Sequence, residues 1–268
     1  MNPPIRFLFP LLLLIAVWLW IRDLRWYTQS PDTLAILCVF PLAWWIGGPF
    51  RWKSEPDPLP LFWLCLGFTG IVLGLAGNIL FLAAVGWGVA LTVLAKSQLQ
   101  ATGIPFHRQA FLWILGFPWV VLDFNALGWW FRLSGAMVTE FLFGVMGFAV
   151  LREGTFVTIE GFPISIEAAC SGLNLLQALL IGGVILALFY LRKETPFWMG
   201  ILLLPLFTWV ANTLRILMIT AVGLSFGIEV ASGLFHTWGA LLVVALMVGL
   251  TALCFQGLES HTGGASGA

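Results

Sequence analysis

Long stretches without Asp, Glu, Lys or Arg dominate the pattern of hydrophobic and polar positions along this chain. An α-helix needs about 20 mostly apolar residues to cross the hydrocarbon core of a bilayer, so each stretch predicts a transmembrane helix. Residues 58–95 carry no charge and are long enough for two helices, with a turn at Gly77-Asn78. We therefore expect eight spans, at residues 7–21, 33–50, 60–77, 79–95, 109–128, 168–191, 196–220 and 231–255.

The pattern changes between the fifth and the sixth span. Residues 129–151 are apolar, but a ninth span here would move most loop cations to the opposite side, so we expect an outer interfacial helix that begins at Trp129-Trp130. Residues 156–159 and 164–167 alternate around a turn signal at 160–163 and predict a small extracytoplasmic β-hairpin. The edge of such a hairpin can hold an extended peptide by strand addition.

The predicted fold class is therefore an all-α polytopic membrane protein. It has about eight transmembrane helices, one outer interfacial helix and a small extracytoplasmic β-hairpin. Residues 1–255 form a single integral membrane domain, in which the segments that carry chemistry lie at 152–240. Residues 256–268 are rich in Gly and predict a flexible C-terminal tail.

Composition agrees with a membrane protein and excludes several other classes. Hydrophobic residues make up 60% and charged residues 9% of the chain, whereas soluble domains contain about 25% charged residues. A soluble enzyme, a disordered protein and a nucleic-acid-binding protein are therefore excluded. The 12 basic and 12 acidic residues balance and predict no polyanionic partner. The four cysteines are scattered through apolar sequence, so they do not form a disulfide framework.

The orientation follows from the cations of the short loops, because Lys and Arg favour the cytoplasmic side. A cytoplasmic N-terminus places seven such cations inside and four outside, and an even number of spans then returns the C-terminus to the cytoplasm. The inner set is Arg6, Arg51, Lys53, Lys96, Arg108, Arg192 and Lys193, and the outer set is Arg22, Arg25, Arg132 and Arg152.

A few reactive side chains lie at membrane depth, where an ionisable residue costs about 2.5–3.5 kcal/mol. Cys170 is near the outer start of span six, Arg215 is near the outer end of span seven, and His236 is near the outer start of span eight. All three therefore share one level in the outer third of the bilayer. Asn174 lies on the helix face of Cys170, and Asn212 on that of Arg215.

These residue types suit acyl transfer. A thiol at a helix N-terminus favours the thiolate, an imidazole moves protons at neutral pH, and a guanidinium holds an oxyanion. The alternative is that Cys170 is a small core residue, His236 an interface residue and Arg215 a cation that extends to the headgroups. Asp123 either pairs with Arg215 or His236 or lies among the headgroups. No spacing predicts a metal site, and no cofactor is expected.

Three sequence blocks resemble the exosortase/archaeosortase family. They are Glu167-Ala168-Ala169-Cys170-Ser171-Gly172-Leu173, then Asn212-Thr213-Leu214-Arg215-Ile216, and then His236 followed by Gly239. The resemblance is close over residues 150–240 and limited to hydropathy before them. Two positions depart from it: Ala168 replaces a frequent acid two places before the cysteine, and Asn174 replaces a frequently basic residue.

The resemblance implies about eight membrane helices and a membrane-embedded cysteine peptidase or transpeptidase that is sortase-like in chemistry. Its members are thought to cut C-terminal protein-sorting signals near the outer membrane face and to pass the acyl group to an acceptor. The expected partners are substrate proteins with a C-terminal motif such as Pro-Glu-Pro, a membrane helix and a basic tail, together with membrane lipids. The expected location is the inner membrane of a prokaryote.

By carry-over, Cys170 is the nucleophile, Arg215 the oxyanion or substrate clamp and His236 the proton-transfer residue. Support for the substrate or the oxyanion would come from Asn174, Asn212, Ser171 and Glu167. Two alternatives stay open: a non-enzymatic scaffold or transport component of polysaccharide export, and a lipid-linked acyl or glycosyl transferase. The second is weaker, because the sequence shows no carboxylate pair or metal-ligand spacing.

Overall fold

A computed structural model describes residues 3–29, 33–101, 103–165 and 173–261. Its contacts divide the chain, predicted as one membrane domain, into two compact units, Met1–Asp123 and Phe124–Ala268. The predicted catalytic blocks all lie in the second unit.

The first unit consists mainly of helices. The hairpin of α5 and α6 packs through Gly67, Gly70, Gly74 and Gly86, where a Cβ at Gly86 would lie 2.5 Å from the carbonyl oxygen of Gly67. These close approaches give Gly70 and Gly74 a packing role between the two helices. The elements are α1 (Pro3–Arg6), α2 (Leu8–Ile21), α3 (Arg25–Gln29), α4 (Thr33–Gly47), β1 (Phe50–Trp52), α5 (Leu61–Ala76), α6 (Leu80–Gln98), β2 (Leu99–Ala101), α7 (Phe106–Leu115) and α8 (Trp119–Asp123).

Two features of this unit differ from the sequence prediction. The fifth predicted span, 109–128, is divided into α7 and α8 at Gly116-Phe117-Pro118, because proline has no N–H with which to continue a helix. In addition, β1 and β2 form a two-stranded antiparallel ribbon in which Arg51 pairs with Gln100. Local patterning did not predict this ribbon, since its strands are three residues long and far apart in sequence.

The second unit combines helices with a small sheet. Its elements are α9 (Asn125–Val145), β3 (Val150–Glu153), β4 (Phe156–Ile159), β5 (Phe162–Ser165), α10 (Leu173–Tyr190), α11 (Glu194–Phe226), α12 (Ile228–Ser232) and α13 (Leu234–His261). The segment predicted as an interfacial helix, 129–151, corresponds to α9 and the start of β3. Its position relative to a membrane stays a prediction.

The predicted hairpin is part of a three-stranded antiparallel sheet of order β3-β4-β5. Its second turn is Glu160-Gly161, two residues long rather than four, and both residues have positive φ, as in a type I′ turn. Strand β3, which the sequence analysis did not predict, pairs with β4 through the turn Gly154-Thr155. One face of the sheet is buried against α9 and α11 in a cluster of Ala136, Phe143, Val157, Ile159, Ile164 and Ile216.

Strands β3 and β5 are the two edges of the sheet, and they differ in how well their backbones could pair with an added strand. In a two-residue hairpin the closing pair Ile159–Phe162 exchanges both hydrogen bonds, so the backbone of Pro163 faces away from β4. Pro163 has no N–H to offer there, which weakens the β5 edge. On the opposite edge, Val150 and Arg152 direct their backbone groups away from β4. The β3 edge is therefore the more suitable of the two.

Helix α13 corrects the predicted tail. It continues to His261, so residues 256–261 are helical and 262–268 lie outside the described residues. No Pro interrupts this stretch, and a carboxylate oxygen of Glu259 accepts a hydrogen bond from the backbone N–H of Arg192. The last turns of α13 are therefore tied to the end of α10.

Apolar helices make the chain a multi-pass membrane protein. Within the described residues, three segments are long and apolar enough to cross a membrane: Leu80–Gln98, Glu194–Phe226 and Leu241–Ser260. Four further apolar helices are shorter, at Leu8–Ile21, Ala35–Gly47, Leu61–Ala76 and Leu176–Tyr190. Within the described residues, the first four predicted spans and the sixth and seventh each overlap one of these helices, whereas the eighth begins in α12 and continues through α13. The number eight stays a prediction.

Candidate active site

Helix α11 carries the central part of the candidate site. It has 33 residues, which corresponds to about 50 Å at 1.5 Å per residue, and Glu194 in its first turn complements the helix dipole. The helix ends at Gly227, whose φ of +89° lets the chain turn into α12 and then α13. Helices α10, α11 and α13 all pack against one another.

Contacts between these helices define which residues share a level. Gly183 of α10 lies against Leu204 of α11, and Leu191 lies against Gly200. Counting back nine residues from Gly183 reaches Asn174. Helix α11 runs antiparallel to α10, so counting nine residues forward from Leu204 gives residue 213 as the counterpart of Asn174. The Leu191–Gly200 contact gives residue 217, because Asn174 is 17 residues before Leu191 and residue 217 is 17 residues after Gly200. The backbone of Asn174 is therefore level with that of Arg215 to within about half a helical turn.

The same reasoning places the start of α13. Phe255 of α13 contacts the position of Gly200, where a Cβ would lie 3.0 Å from its ring. Counting 19 residues back from Phe255 reaches His236, and 19 forward from Gly200 reaches residue 219. The backbone of His236 therefore lies about one turn beyond Arg215 along α11. The structure describes the helical backbone at His236 and Asn174.

Asn212 and Arg215 occupy one flank of α11. Successive helix residues are rotated by about 100°, so two residues three apart differ by about 60°. On one side of this flank, Ala211 belongs to an apolar cluster with Leu179 of α10 and Val243 of α13. On the other side, Ile216 belongs to the cluster with α9 and the sheet. The polar flank therefore lies between two apolar contacts.

The amide of Asn212 is buried and has no hydrogen-bond partner among the described residues. The residue is 1% exposed, and neither its Nδ2 nor its Oδ1 atom has a partner among the residues that the structure describes. Thr213 is 6% exposed, and its hydroxyl also has no hydrogen-bond partner among the described residues. Buried polar groups are almost always paired, and an unpaired one costs about 1–3 kcal/mol. Such groups are suited to binding a ligand that supplies the missing donors and acceptors.

Helix α9 and the sheet hold α11 on its other side. The indole N–H of Trp209 donates to the hydroxyl of Ser134 at 2.9 Å, and Gly135 gives room for Ile216. Ile164 of β5 is buried in the same cluster as Ile216. Strand β5 is therefore held beside the turn of α11 that carries Arg215 and Ile216, and residues 166–172 between Ser165 and Leu173 lie outside the described residues.

The sequence-predicted residues are described to different extents. Asn212 and Arg215 lie together on α11, while the backbone of Asn174 on α10 is level with Arg215 and that of His236 on α13 lies about one turn beyond it. Glu167, Cys170 and Ser171 lie outside the described residues. Thr213 was not predicted as a site residue, although it stands inside the block that contains Asn212 and Arg215.

Asp123 has a role that the sequence prediction did not include. Its Oδ2 atom accepts a hydrogen bond of 2.5 Å from the backbone N–H of Phe81, in the first turn of α6. A carboxylate at this position satisfies an unpaired N–H and complements the helix dipole. Asp123 therefore acts as a cap within the first unit. The signal for it was the uncharged, uncapped start of α6 after Gly77-Asn78.

Comparison with known proteins gives one result. A family model described as transmembrane exosortase matches residues 4–253. No curated protein matched the chain, and no solved structure matched it. The family model covers the first unit as well as the second, where the sequence resemblance was limited to hydropathy. Because the match extends over nearly the whole chain, this protein belongs to the transmembrane exosortase family.

Proposed function

We propose that this protein is a membrane-embedded cysteine transpeptidase or peptidase that cleaves C-terminal protein-sorting signals at the outer membrane face. Membership of the exosortase family supports a sortase-like processing role in the membrane. The observation that carries the finer proposal is that the backbones of Asn174 and His236 lie within about one helical turn of Arg215. The amide of Asn212, which has no partner among the described residues, lies on the same flank of α11 as Arg215. Each of three consecutive helices therefore contributes one polar residue to this part of the bundle.

In the proposed reaction, the Cys170 thiolate attacks the carbonyl carbon of the scissile peptide bond. The guanidinium of Arg215, together with the amide of Asn174, holds the developing oxyanion. His236 gives a proton to the leaving amine as the C–N bond breaks, and a thioester on Cys170 remains. An acceptor amine or water then attacks the thioester carbon and gives a proton to His236, and the C–S bond breaks to release the Cys170 thiolate. Ser171, Asn212 and Glu167 support the substrate beside these groups.

We also propose the orientation and the partners of this site. The N- and C-termini lie in the cytoplasm of a prokaryote, and the site faces the extracytoplasmic side of the inner membrane. Substrates carry a short C-terminal motif, a membrane helix and a basic tail. The helix packs in lipid while the motif reaches the site. The positive-inside distribution of the loop cations supports this arrangement.

The test is substitution of Cys170 in cells that also express a candidate substrate. Cys170→Ala and Cys170→Ser should give folded, membrane-inserted protein that leaves the mass of the substrate unchanged. Cys254→Ala is the matched control, because Cys254 is a free thiol of the same unit on α13, and it should process normally. Cleavage by Cys170→Ala at the wild-type rate would remove Cys170 as the nucleophile.

A second measurement separates the enzyme from a scaffold. Alkylation of the purified protein, followed by peptide mass spectrometry over a range of pH, reports the reactivity of each thiol. A catalytic Cys170 should react faster than Cys254 and lose this advantage at low pH, as the thiolate is protonated. A Cys170 thiol that resists alkylation at every pH would favour the scaffold.

A further inference from the structure

A cavity of the first unit lies between α5, α6 and α7, far in sequence from the catalytic blocks. Its volume is about 480 Å³, and its lining includes Trp63, Val93, Lys96, Ser97, His107 and Ile114. We refer to it as the Lys96 cavity. Neither the proposed reaction nor the family match gives it a role.

The lining of the Lys96 cavity changes from polar to apolar along the helices. On α6, Lys96 is followed inward by Val93 and Val89, and on α7, His107 is followed by Ala110 and Ile114. The two helices therefore present polar groups at the end of α6 and apolar groups deeper inside. A ligand that fits this gradient has a polar head and an apolar body.

The charge at the polar end favours an anion. The carboxylate of Asp57 is paired with the ammonium of Lys53 at 2.6 Å, so its charge is compensated. The same ammonium donates to the carbonyl oxygen of Lys96 at 2.7 Å, which ties the 53–58 segment to the end of α6. The side chain of Lys96 itself is exposed at the rim. It is available to a negatively charged head group.

The rim is also a built structure. The hydroxyl of Ser97 donates to the carbonyl oxygen of Asp57 at 2.7 Å, and the N–H of Asp57 donates to the carbonyl oxygen of Ser97 at 3.0 Å. Ser97 is 2% exposed. The segment that closes the cavity is therefore held by paired hydrogen bonds in both directions, and the cavity keeps its shape without a ligand.

We propose that the Lys96 cavity binds one anionic phospholipid. The phosphate lies at Lys96, and the glycerol with the first methylenes of an acyl chain lies against Trp63, Val93 and Ile114. Basic pockets between membrane helices bind anionic head groups in this way. A free phosphate would use only the rim, whereas the cavity is far larger than a tetrahedral anion and mostly apolar. This proposal does not depend on the proposed peptidase activity.

Binding to the purified full-length protein in detergent tests the proposal, with native mass spectrometry as the readout. The probes are phosphatidylglycerol, phosphatidylcholine and inorganic phosphate. The wild type should bind one phosphatidylglycerol more tightly than phosphatidylcholine, and phosphate should not compete. Lys96→Gln should weaken phosphatidylglycerol binding about fivefold, since one Lys near a head group contributes about 1 kcal/mol, and should leave phosphatidylcholine unchanged.

Two further variants make the result specific. Arg51→Gln is the matched control, because Arg51 is an exposed cation on β1 outside the cavity lining, and it should change binding less than twofold. Ala110→Leu keeps every charge but fills the cavity, and it should weaken both lipids at least fivefold. Equal effects of Lys96→Gln and Arg51→Gln, competition by phosphate, or unchanged lipid binding in Ala110→Leu would each overturn the proposal.

Discussion

Replacement of Asn212 by Leu should stabilise the fold and stop substrate processing. Leu has the same number of side-chain heavy atoms in the same branched arrangement, but no polar atom. Asn212 is 1% exposed, and both of its amide atoms are unpaired among the described residues. An unpaired buried donor or acceptor costs about 1–3 kcal/mol, so the two atoms together cost about 2–6 kcal/mol.

The expected net gain is smaller than that sum. The methyl groups of Leu are bulkier than the amide atoms, and overpacking costs about 1–3 kcal/mol. Leu is a better helix former than Asn by a few tenths of a kcal/mol. With the middle value of each range, about 4 kcal/mol gained and about 2 kcal/mol lost, the net increase in the free energy of unfolding is about 2 kcal/mol, and each kcal/mol raises the melting temperature by about 2–4 °C.

Thr208→Val is the matched control on the same helix. Thr208 is also 1% exposed, but its hydroxyl donates to the carbonyl oxygen of Leu204 at 2.9 Å. Its replacement removes a satisfied local hydrogen bond, so it should not raise the melting temperature and should leave processing intact. Both variants are compared with the wild type by thermal unfolding in detergent and by conversion of a co-expressed substrate.

Two outcomes would refute this reasoning in different ways. A melting temperature of Asn212→Leu clearly below that of the wild type would mean that the amide is paired in the folded protein and has a structural role. A raised melting temperature with normal processing would confirm the unpaired amide but remove Asn212 from the site. The prediction requires both a more stable and an inactive variant, as expected where function opposes stability.

Three other outcomes are expected. Arg215→Lys keeps the charge but loses the planar fork, so the processing rate should fall about 10²-fold without loss of folded protein, and a wild-type rate would exclude an oxyanion role. In a chain without the native cysteines, Thr158→Cys should react with an impermeant maleimide in intact cells, whereas Ser54→Cys should react only after the membrane is opened. The reverse result would place the sheet in the cytoplasm. Gly86→Ala should lower stability by about 1–3 kcal/mol through backbone overlap with Gly67, while the helical control Gly144→Ala, where a Cβ meets nothing within 4 Å, should not.

Hydropathy predicted the helices well because a membrane span depends mainly on length and apolar composition. Helices α2, α5 and α6 begin and end within a few residues of the predicted spans. The fifth span failed because its apolar run was read as continuous across Pro118, although proline is a signal for a break. The predicted tail began too early. The Gly residues beyond 262 led us to assign the whole segment 256–268 as flexible, whereas residues 256–261 are helical.

The strands were harder to predict, for two different reasons. Strand β3 is short and follows an apolar helix directly, so only Gly154 after Glu153 marked a turn that could begin a hairpin. Strands β1 and β2 pair across about fifty residues of sequence. Such a pairing depends on how α5 and α6 return the chain, and no local pattern carries that information.

The level of the site residues was predicted from chain direction alone. The helix contacts place the backbone of Asn174 within about half a turn of Arg215 and that of His236 about one turn from it, and Cys170 lies outside the described residues. The reason is geometric. Consecutive spans alternate in direction, so a residue at the start of one helix is level with one near the end of the next. Contacts at Gly183 and Gly200 could not be foreseen, because small residues are common in membrane helices and only some of them lie at an interface.

The length of α11 connects the sheet to the candidate site. About 20 residues suffice to cross the hydrocarbon core, whereas α11 has 33 residues and Arg215 is 21 residues beyond its start. The helix therefore extends past the Arg215 level by about three turns, and this extension contributes Ile216 to the cluster with Ile164 of β5. Strand β5 leads into the segment that carries Cys170, and α10 begins on the other side of that segment. A membrane helix that ended near Arg215 would remove Ile216, Leu217 and Leu224 from this cluster and leave the sheet packed against α9 alone, so the excess length of α11 completes the apolar cluster under the sheet.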